Sequence, residues 1–565
     1  MRAWTRHYDA DVPPSLAPYP AKTLIDYVRE HASARPNAAA ILFKGTTLSY
    51  AQLDRLSDRF AAALGRFGVR KGARIALLLP NTPQFVIAEL GAWKAGASVL
   101  GLNPLYTANE LAEPLRDAGV EIVVTLTPFY KRLKDIQSQT RVKRIIATNI
   151  KEYLPPLLRV LFTLVKERKG GHRIDLAPGD SWFQECLTGP AAQLDSPAPD
   201  DPAIMLMSGG TTGTPKAVVG LHRSLLAAGL QLNTWLHRSK DAPQDVMLVP
   251  LPLFHVYACV GAQSHSLISG TPMALVPNPR DIGDLLSTIK KVRPTLLCAV
   301  PALFIAMLNH PRVRNKSIDF SSIRACFSGA AALMAATKTQ FEELTGGRIV
   351  EGYSLTEAMM ACIVNPLEGT NKTGSVGIPL PDVEVAVVDA MSGSTFLNQG
   401  ETGEIIVRAP QLMAGYFNNP DETSRALRDH GGGGPWLHTG DLGYLDADSF
   451  LFIVDRQKDL IKTSGYQVWP REIEELLAAH PAVQEAGVAG VPDAVKGEVV
   501  KAWVVLKAGA DISGDDLRAY CRQKLAPYKT PAQFEFRDSL PKTMAGKVLR
   551  RILVAEHKSA NPKSG

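Results

Sequence analysis

Ser208-Gly-Gly-Thr-Thr-Gly-Thr-Pro-Lys216 decides the reading of this chain. It follows Ala203-Ile-Met-Leu-Met207, an apolar run that predicts a buried strand. Three glycines let the backbone approach an anion closely. The amides between them, with the hydroxyls of Ser208, Thr211, Thr212 and Thr214, can wrap phosphate oxygens, and Lys216 adds a point charge. A Walker loop is excluded, because five residues on from Gly209 or Gly210 stand Thr214 or Pro215 instead of a second glycine. Lys216-Ala-Val-Val-Gly220 predicts a second strand rather than a helix. The competing reading is a Gly/Thr-rich hairpin turn. The density of glycines and hydroxyls in this stretch disfavours it.

Composition bounds the rest. A chain of 565 residues exceeds the size of one core, so two or more domains are expected. A net charge of +7 is too small at this length to argue for nucleic acid, and suits anionic small molecules or an anionic membrane surface equally. Cys186, Cys259, Cys298, Cys326, Cys362 and Cys521 stand far apart without metal-ligand spacing, which predicts reduced thiols and a cytoplasmic protein. The first residues lack the apolar core of a secretory signal, and no apolar run has the length of a membrane span.

Along the chain, Ala39–Phe43 and Thr47–Tyr50 predict a strand, turn and strand, and Ser49 with Gln52 forms a capping box for the helix after it. Strand and helix signals then alternate through Arg74–Leu79, Pro83–Ala95, Ala97–Gly101, Gly119–Thr125 and Val142–Ala147. That alternation predicts α/β architecture with largely parallel sheets. Residues 151–173 break the pattern. Eight Leu, Val or Phe side chains crowd into 154–165, bordered by Lys151, Arg159, Lys166, Arg168, Lys169 and Arg173. Such a stretch fits either a membrane interface or a helix packed on the body of the protein.

Other segments carry chemistry. His255 sits in the proline-bounded Val249-Pro-Leu-Pro-Leu-Phe-His-Val-Tyr257, which reads as a pocket wall. Ser328-Gly-Ala-Ala-Ala332 ends an apparent strand in small residues that let a flat ligand lie on the backbone. In Glu351-Gly-Tyr-Ser-Leu-Thr-Glu357, Tyr353 offers a stacking face, Thr356 a hydroxyl and Glu357 an oxygen ligand for Mg²⁺. Leu355, Met359, Met360 and Ile363 make the surroundings apolar. Trp436-Leu-His-Thr-Gly-Asp441 presents an aspartate suited to ribose hydroxyls.

Taken in order, Ser208–Lys216, Tyr353–Glu357, Thr439–Asp441, Asp455-Arg456 with Lys458, and Pro541–Lys547 resemble the motifs of the adenylate-forming superfamily of acyl-CoA synthetases, 4-coumarate–CoA ligases and luciferases. Within it the chain is most similar to bacterial long-chain fatty acid–CoA ligases. The resemblance implies a large N-terminal α/β domain of stacked mixed sheets with helices (residues 1–457) and a small mobile C-terminal α+β domain (458–565). It implies adenylation of a medium- or long-chain fatty acid by ATP with Mg²⁺, then transfer to CoA. By the same analogy Ser208, Thr211, Thr212, Gly213, Thr214 and Lys216 hold phosphates, and Thr211 and Glu357 bind the metal. Gly329, Ala330, Ala331, Glu351, Gly352, Tyr353 and Thr356 line the nucleotide, and Asp441 and Arg456 take the ribose. Lys547 is the catalytic lysine, assisted by Thr356 and Glu357. His255 and Gly329 border the acyl chain, Lys458 is the hinge, and Lys462, Ser464 and Gly465 face CoA.

Three alternatives stay open. A fatty acyl-AMP ligase would stop before CoA, and an aromatic acid–CoA ligase would take a different acid. A non-catalytic, membrane-associated lipid-binding protein belongs to another class, against which the full motif set argues. No partner aspartate for a substrate ammonium accompanies Phe254-His255, which argues against amino acids. Ser354 stands where acetate-type enzymes of the family place a pocket-blocking Trp, so a longer chain has room. A homodimer is one oligomeric option.

Overall fold

The computed structural model describes residues 3–190, 197–208, 216–236, 245–331, 333–456, 459–463, 466–493, 497–542 and 548–560. It has two compact units: Met1–Thr373 with Gly377–Glu384 and Arg408–Leu437, and Gly374–Val376 with Val385–Val407 and His438–Gly565. The sequence-based boundary at 457/458 falls inside the second unit. The reason is local pairing. Strand Trp436–Leu445 forms an antiparallel hairpin with Leu451–Arg456 and continues into Gly403–Arg408 and Glu384–Val388, so these strands stay with the C-terminal residues.

Two large sheets build the first unit. One runs Ile378–Pro379, Met360–Val364, Arg348–Leu355, Ala325–Ser328, Leu296–Ala299, Met247–Val249, Met273–Leu275, Ala39–Phe43 and Thr46–Ser49. Its middle strands are parallel and its margins antiparallel. The other runs Gly415–Tyr416, Lys216–Leu221, Pro202–Ser208, Ser98–Gly101, Arg74–Leu78, Ile122–Leu126, Arg144–Thr148 and Ser181–Trp182. It too is parallel inside and antiparallel where Lys216–Leu221 joins. The expected alternation of strands and helices is therefore present, with antiparallel margins added.

Helix Pro83–Lys94 is buried along its whole length. That costs little for its apolar residues, but Lys94 needs Asp54 and Asp58, whose carboxylates lie 2.6 and 2.7 Å from its ammonium. The neighbouring helix Tyr50–Arg66 begins at the expected cap, where the Ser49 hydroxyl accepts from Gln52 N and the Gln52 side chain accepts from Ser49 N. A side chain at Gly91 would meet the Phe60 ring at 2.7 Å, so glycine sets how closely these two helices approach. The N-terminal arm, residues 1–20 with Pro13, Pro14, Pro18 and Pro20, is extended beyond a short 3₁₀ turn, Ala3–His7. It is tied down where Asp9 accepts from the amides of Leu367, Glu368 and Gly369.

In the second unit, strands Val483–Asp493 and Gly497–Leu506 form a long antiparallel pair joined by Ile461–Thr463, Tyr466–Val468 and Gln533–Phe536. Helices Pro470–Ala478 and Gly514–Arg522 close over it through Ile473, Leu477 and Leu517. This is the α+β unit that the sequence predicts. Pro470 starts its helix because its missing N–H would be unpartnered there anyway.

Candidate active site

The carboxyl ends of the parallel strands in the first sheet are where an α/β fold gathers loops around a ligand. Strand Ala325–Ser328 runs into Gly329, Ala330 and Ala331, with Ala330 in left-handed conformation (φ 68°) and both alanines exposed. Beside it, Arg348–Leu355 carries Glu351, Gly352 and Tyr353, with Ser328 opposite Glu351. Tyr353 is buried, and the Glu351 carboxylate accepts from Leu333 N at 3.3 Å. Thr356 and Glu357 follow on a 3₁₀ turn, Thr356–Ala358. The chain then passes through two consecutive left-handed residues, Met359 (φ 45°) and Met360 (φ 98°). Non-glycine residues rarely adopt these angles, so backbone strain is concentrated directly after Glu357.

Glu357 is half-buried. Its carboxylate accepts the Tyr416 hydroxyl at 3.0 Å, and its carbonyl accepts from Met413 N at 2.8 Å. Burial, reinforced by the charge of Glu357, pushes the Tyr416 phenol well above its usual range, so it stays a donor. The Lys216 ammonium lies 5.2 Å from the Tyr416 ring centroid and ion-pairs with Glu422. One aromatic residue thereby joins the end of the glycine-rich stretch to the expected metal ligand. Ser208 and Lys216 face each other across the antiparallel pair Pro202–Ser208 and Lys216–Leu221. Thr211, Thr212, Gly213 and Thr214 lie outside the described residues, as do Lys458, Ser464, Gly465 and Lys547.

Behind this surface lies a narrow apolar cavity. Leu232, Leu236, Met247 and Cys298 line it with Phe327 and Val364, and it reaches Ser328, Gly329, Gly352 and Ser354. Tyr257, Gly261 and Met360 complete the wall. Gly329 lines this cavity, and from the 249–257 segment Tyr257 lines it. His255 is half-buried, and its Nδ1 faces the Tyr257 amide at 3.3 Å. Desolvation lowers its pKa to about 4, which keeps the imidazole neutral at pH 7. Tyr257 and Gly261 come from a π-helical stretch, Tyr257–Ser264, a form of helix often found at functional sites.

Two groups that sequence reasoning passed over hold the segment leading into that helix. Buried Asn81 donates to the carbonyls of Val249 (3.0 Å) and Leu251 (2.7 Å) and accepts from Leu253 N (2.8 Å). At Gly101 an added Cβ would lie 3.1 Å from Phe254 Cα, so only glycine lets the segment pass this close. Tyr416 and Glu422 were missed as well. Their signal was the helix start Asn419-Pro420-Asp-Glu422, where Asn419 accepts from Glu422 N and Pro420 is the first helical residue.

The second unit places Asp441 directly opposite Arg456 in the register of the two antiparallel strands. Asp441 is buried, with its amide donating to the Thr439 hydroxyl at 3.1 Å. The two residues expected to share a ribose are thus brought together. Lys462 is exposed on strand Ile461–Thr463. Among the described residues no three His, Cys, Asp or Glu side chains cluster as metal ligands. A single carboxylate such as Glu357 still suits Mg²⁺, which keeps most of its waters and takes phosphate oxygens.

The chain belongs to the AMP-binding enzyme family, which it matches over residues 28–417, with the family's C-terminal domain at 472–547. It is 40% identical to a long-chain-fatty-acid–CoA ligase of Bacillus subtilis (strain 168), over 98% of each chain. The ATP-bound crystal structure of MatB from Rhodopseudomonas palustris is 29% identical, with TM-score 0.81, covering 95% of this chain and all of that one (100%). The o-succinylbenzoate CoA synthetase MenE from Bacillus subtilis, solved with its acyl-adenylate intermediate, is 27% identical with TM-score 0.77, over 95% and 98%. The resemblance read from the five motifs therefore holds along nearly the whole chain.

Proposed function

We propose that this protein activates a medium- to long-chain fatty acid with ATP and transfers it to CoA. The observation that carries the reading is the apolar cavity, which closes against the bare backbone of Gly329 and Gly352 next to Tyr353, Thr356 and Glu357. A carboxylate emerging from it would meet a nucleotide laid on that backbone. The curated relative acting on long-chain fatty acids supports the same acid. One carboxylate oxygen attacks the α-phosphorus, the bond to the bridging oxygen breaks, and pyrophosphate leaves. The CoA thiol, losing its proton, then attacks the acyl carbon and AMP leaves.

The first barrier is chiefly repulsion between anions, which fixed positive groups relieve. Ser208, Thr211, Thr212, Gly213, Thr214 and Lys216 cradle the departing phosphates, and Lys547 bridges the carboxylate and α-phosphate. Bound at Thr211 and Glu357, Mg²⁺ would neutralise phosphate charge. Tyr353 stacks on adenine, and Asp441 with Arg456 binds the ribose. Lys458 is the hinge that brings Lys462, Ser464 and Gly465 to CoA, with residues 458–565 moving as a body. Six free, buried cysteines support a cytoplasmic setting.

AMP release across acids from acetate to stearate, with and without CoA, tests the reading. CoA-dependent turnover highest on long chains is expected, and adenylate accumulating regardless of CoA would make the protein a fatty acyl-AMP ligase. Tyr416→Phe should raise the Mg²⁺ concentration for half-maximal pyrophosphate exchange about tenfold, because Glu357 loses its orienting donor; an unchanged Mg²⁺ titration would remove Tyr416 from the site. Lys458→Pro should slow thioester formation more than adenylation, read in separate half-reactions, since proline fixes φ at a hinge.

A further inference from the structure

Helix Pro156–Val165 contains seven Leu, Val or Phe residues among ten, yet none of its residues is buried. Leu157 and Leu164 are 73% and 77% exposed, and Leu158, Val160, Leu161 and Val165 are exposed too. Leu157, Leu161 and Leu164 share one face by helical spacing. Phe162 alone turns inward, edge-on to His172 with ring centroids 5.0 Å apart. The Arg159 guanidinium donates to the Glu152 carbonyl at 2.9 Å, and the Lys151 ammonium lies 2.6 Å from Glu167. These contacts tie the helix to its own flanking residues while its apolar side faces outward, which favours the membrane-interface reading of this stretch over the packed-helix one.

The rim is basic. Residues 156–173 hold five Lys or Arg (159, 166, 168, 169 and 173) against one acid, Glu167. Glu167 is already paired with Lys151, whereas Lys166, Arg168, Lys169 and Arg173 are exposed. We propose that this helix seats the protein on an anionic lipid bilayer, lying in the interface plane with its leucines among the acyl chains and the flanking cations on lipid phosphates. Charge complementarity selects this occupant. A second copy would bring two cationic rims together, and a neutral surface would leave them without counter-charge. At about 1.5 Å per residue the helix is too short to span a bilayer, and no helix among the described residues is long and apolar enough to cross a membrane. The surface goes beyond the proposed activity and would stand even for another acid.

Sedimentation of the full-length protein with vesicles of phosphatidylcholine, alone or mixed with phosphatidylglycerol, tests it. Binding to the anionic vesicles is expected, weakening as salt rises. The triple variant Leu157→Asp, Leu161→Asp, Leu164→Asp should lose at least about tenfold in partitioning, and Lys166→Glu with Lys169→Glu a similar factor. AMP release on a short, water-soluble acid should stay at the parent level in both variants, which separates lost docking from lost folding. Two results would overturn the proposal: parent protein that ignores anionic vesicles, or variants that bind them as the parent does. A triple variant that only converts a dimer to a monomer in sedimentation velocity would assign the face to a second copy instead.

Discussion

Lys547→Ala is expected to lower ATP–pyrophosphate exchange by at least about 10²–10³-fold, the scale of losing one preorganised donor to developing charge. It should leave thioester formation from preformed acyl-adenylate near the parent rate, because that step no longer needs the carboxylate and α-phosphate brought together. The surrounding architecture should survive the change. Lys542 bridges to Val548 across the segment, and three residues beyond Lys547 the side chain of Arg550 is held by carboxylates. Arg550 meets Glu474 at 2.7 Å and Asp459 at 2.5 Å, with Asp455 at 3.7 Å. That cluster anchors helix Arg550–Ala560. A variant that melts like the parent but still exchanges pyrophosphate would remove Lys547 from the mechanism.

Ser354→Trp should invert the acid preference. Ser354 lines the apolar cavity, and an indole there would fill the space that a fatty chain needs. Each methylene denied burial loses about 0.8 kcal/mol, so excluding about four costs about 3 kcal/mol, roughly a 10²-fold fall in kcat/KM for palmitate. Acids of two to four carbons should be spared, since their carboxylates still reach the backbone at Gly329 and Gly352. The measurement is kcat/KM along a chain-length series. Undiminished turnover of palmitate would show that the acyl chain runs elsewhere.

Much of this was legible in the sequence because the determinants are local. The Ser49–Gln52 box, the strand before Ser208, the strand after Lys216 and the Pro470 helix start each depend on neighbours a few residues away. The candidate polar residues Glu357, Asp441 and Arg456 were singled out for another reason: they stand in short motifs whose residue types suggest a chemistry. What sequence reasoning missed depends on distant pairs. Asn81 holds carbonyls about 170 positions away, and Tyr416 reaches Glu357 across 59. No periodicity encodes such contacts. That Tyr257 lines the cavity is set by how its segment packs and not by any feature of residue type or spacing. The hinge motif that sets the expected boundary at 457 carries no information about which strands share a sheet. The outward turn of Leu157 and Leu164 was equally invisible, since periodicity locates an apolar face without saying what meets it.

Tyr257 does more than line the cavity. Its hydroxyl stands 3.0 Å from the Phe327 carbonyl and 3.2 Å from that of Ala299, on two adjacent parallel strands. Burial keeps the phenol protonated far above neutral pH, so the staple does not titrate away. A wall riveted to two strands cannot swell to admit one more carbon. The enzyme should therefore behave as a ruler rather than an elastic sleeve: activity along a homologous series of acids should fall abruptly past one length, and Tyr257→Phe should blur that edge more than it lowers the peak.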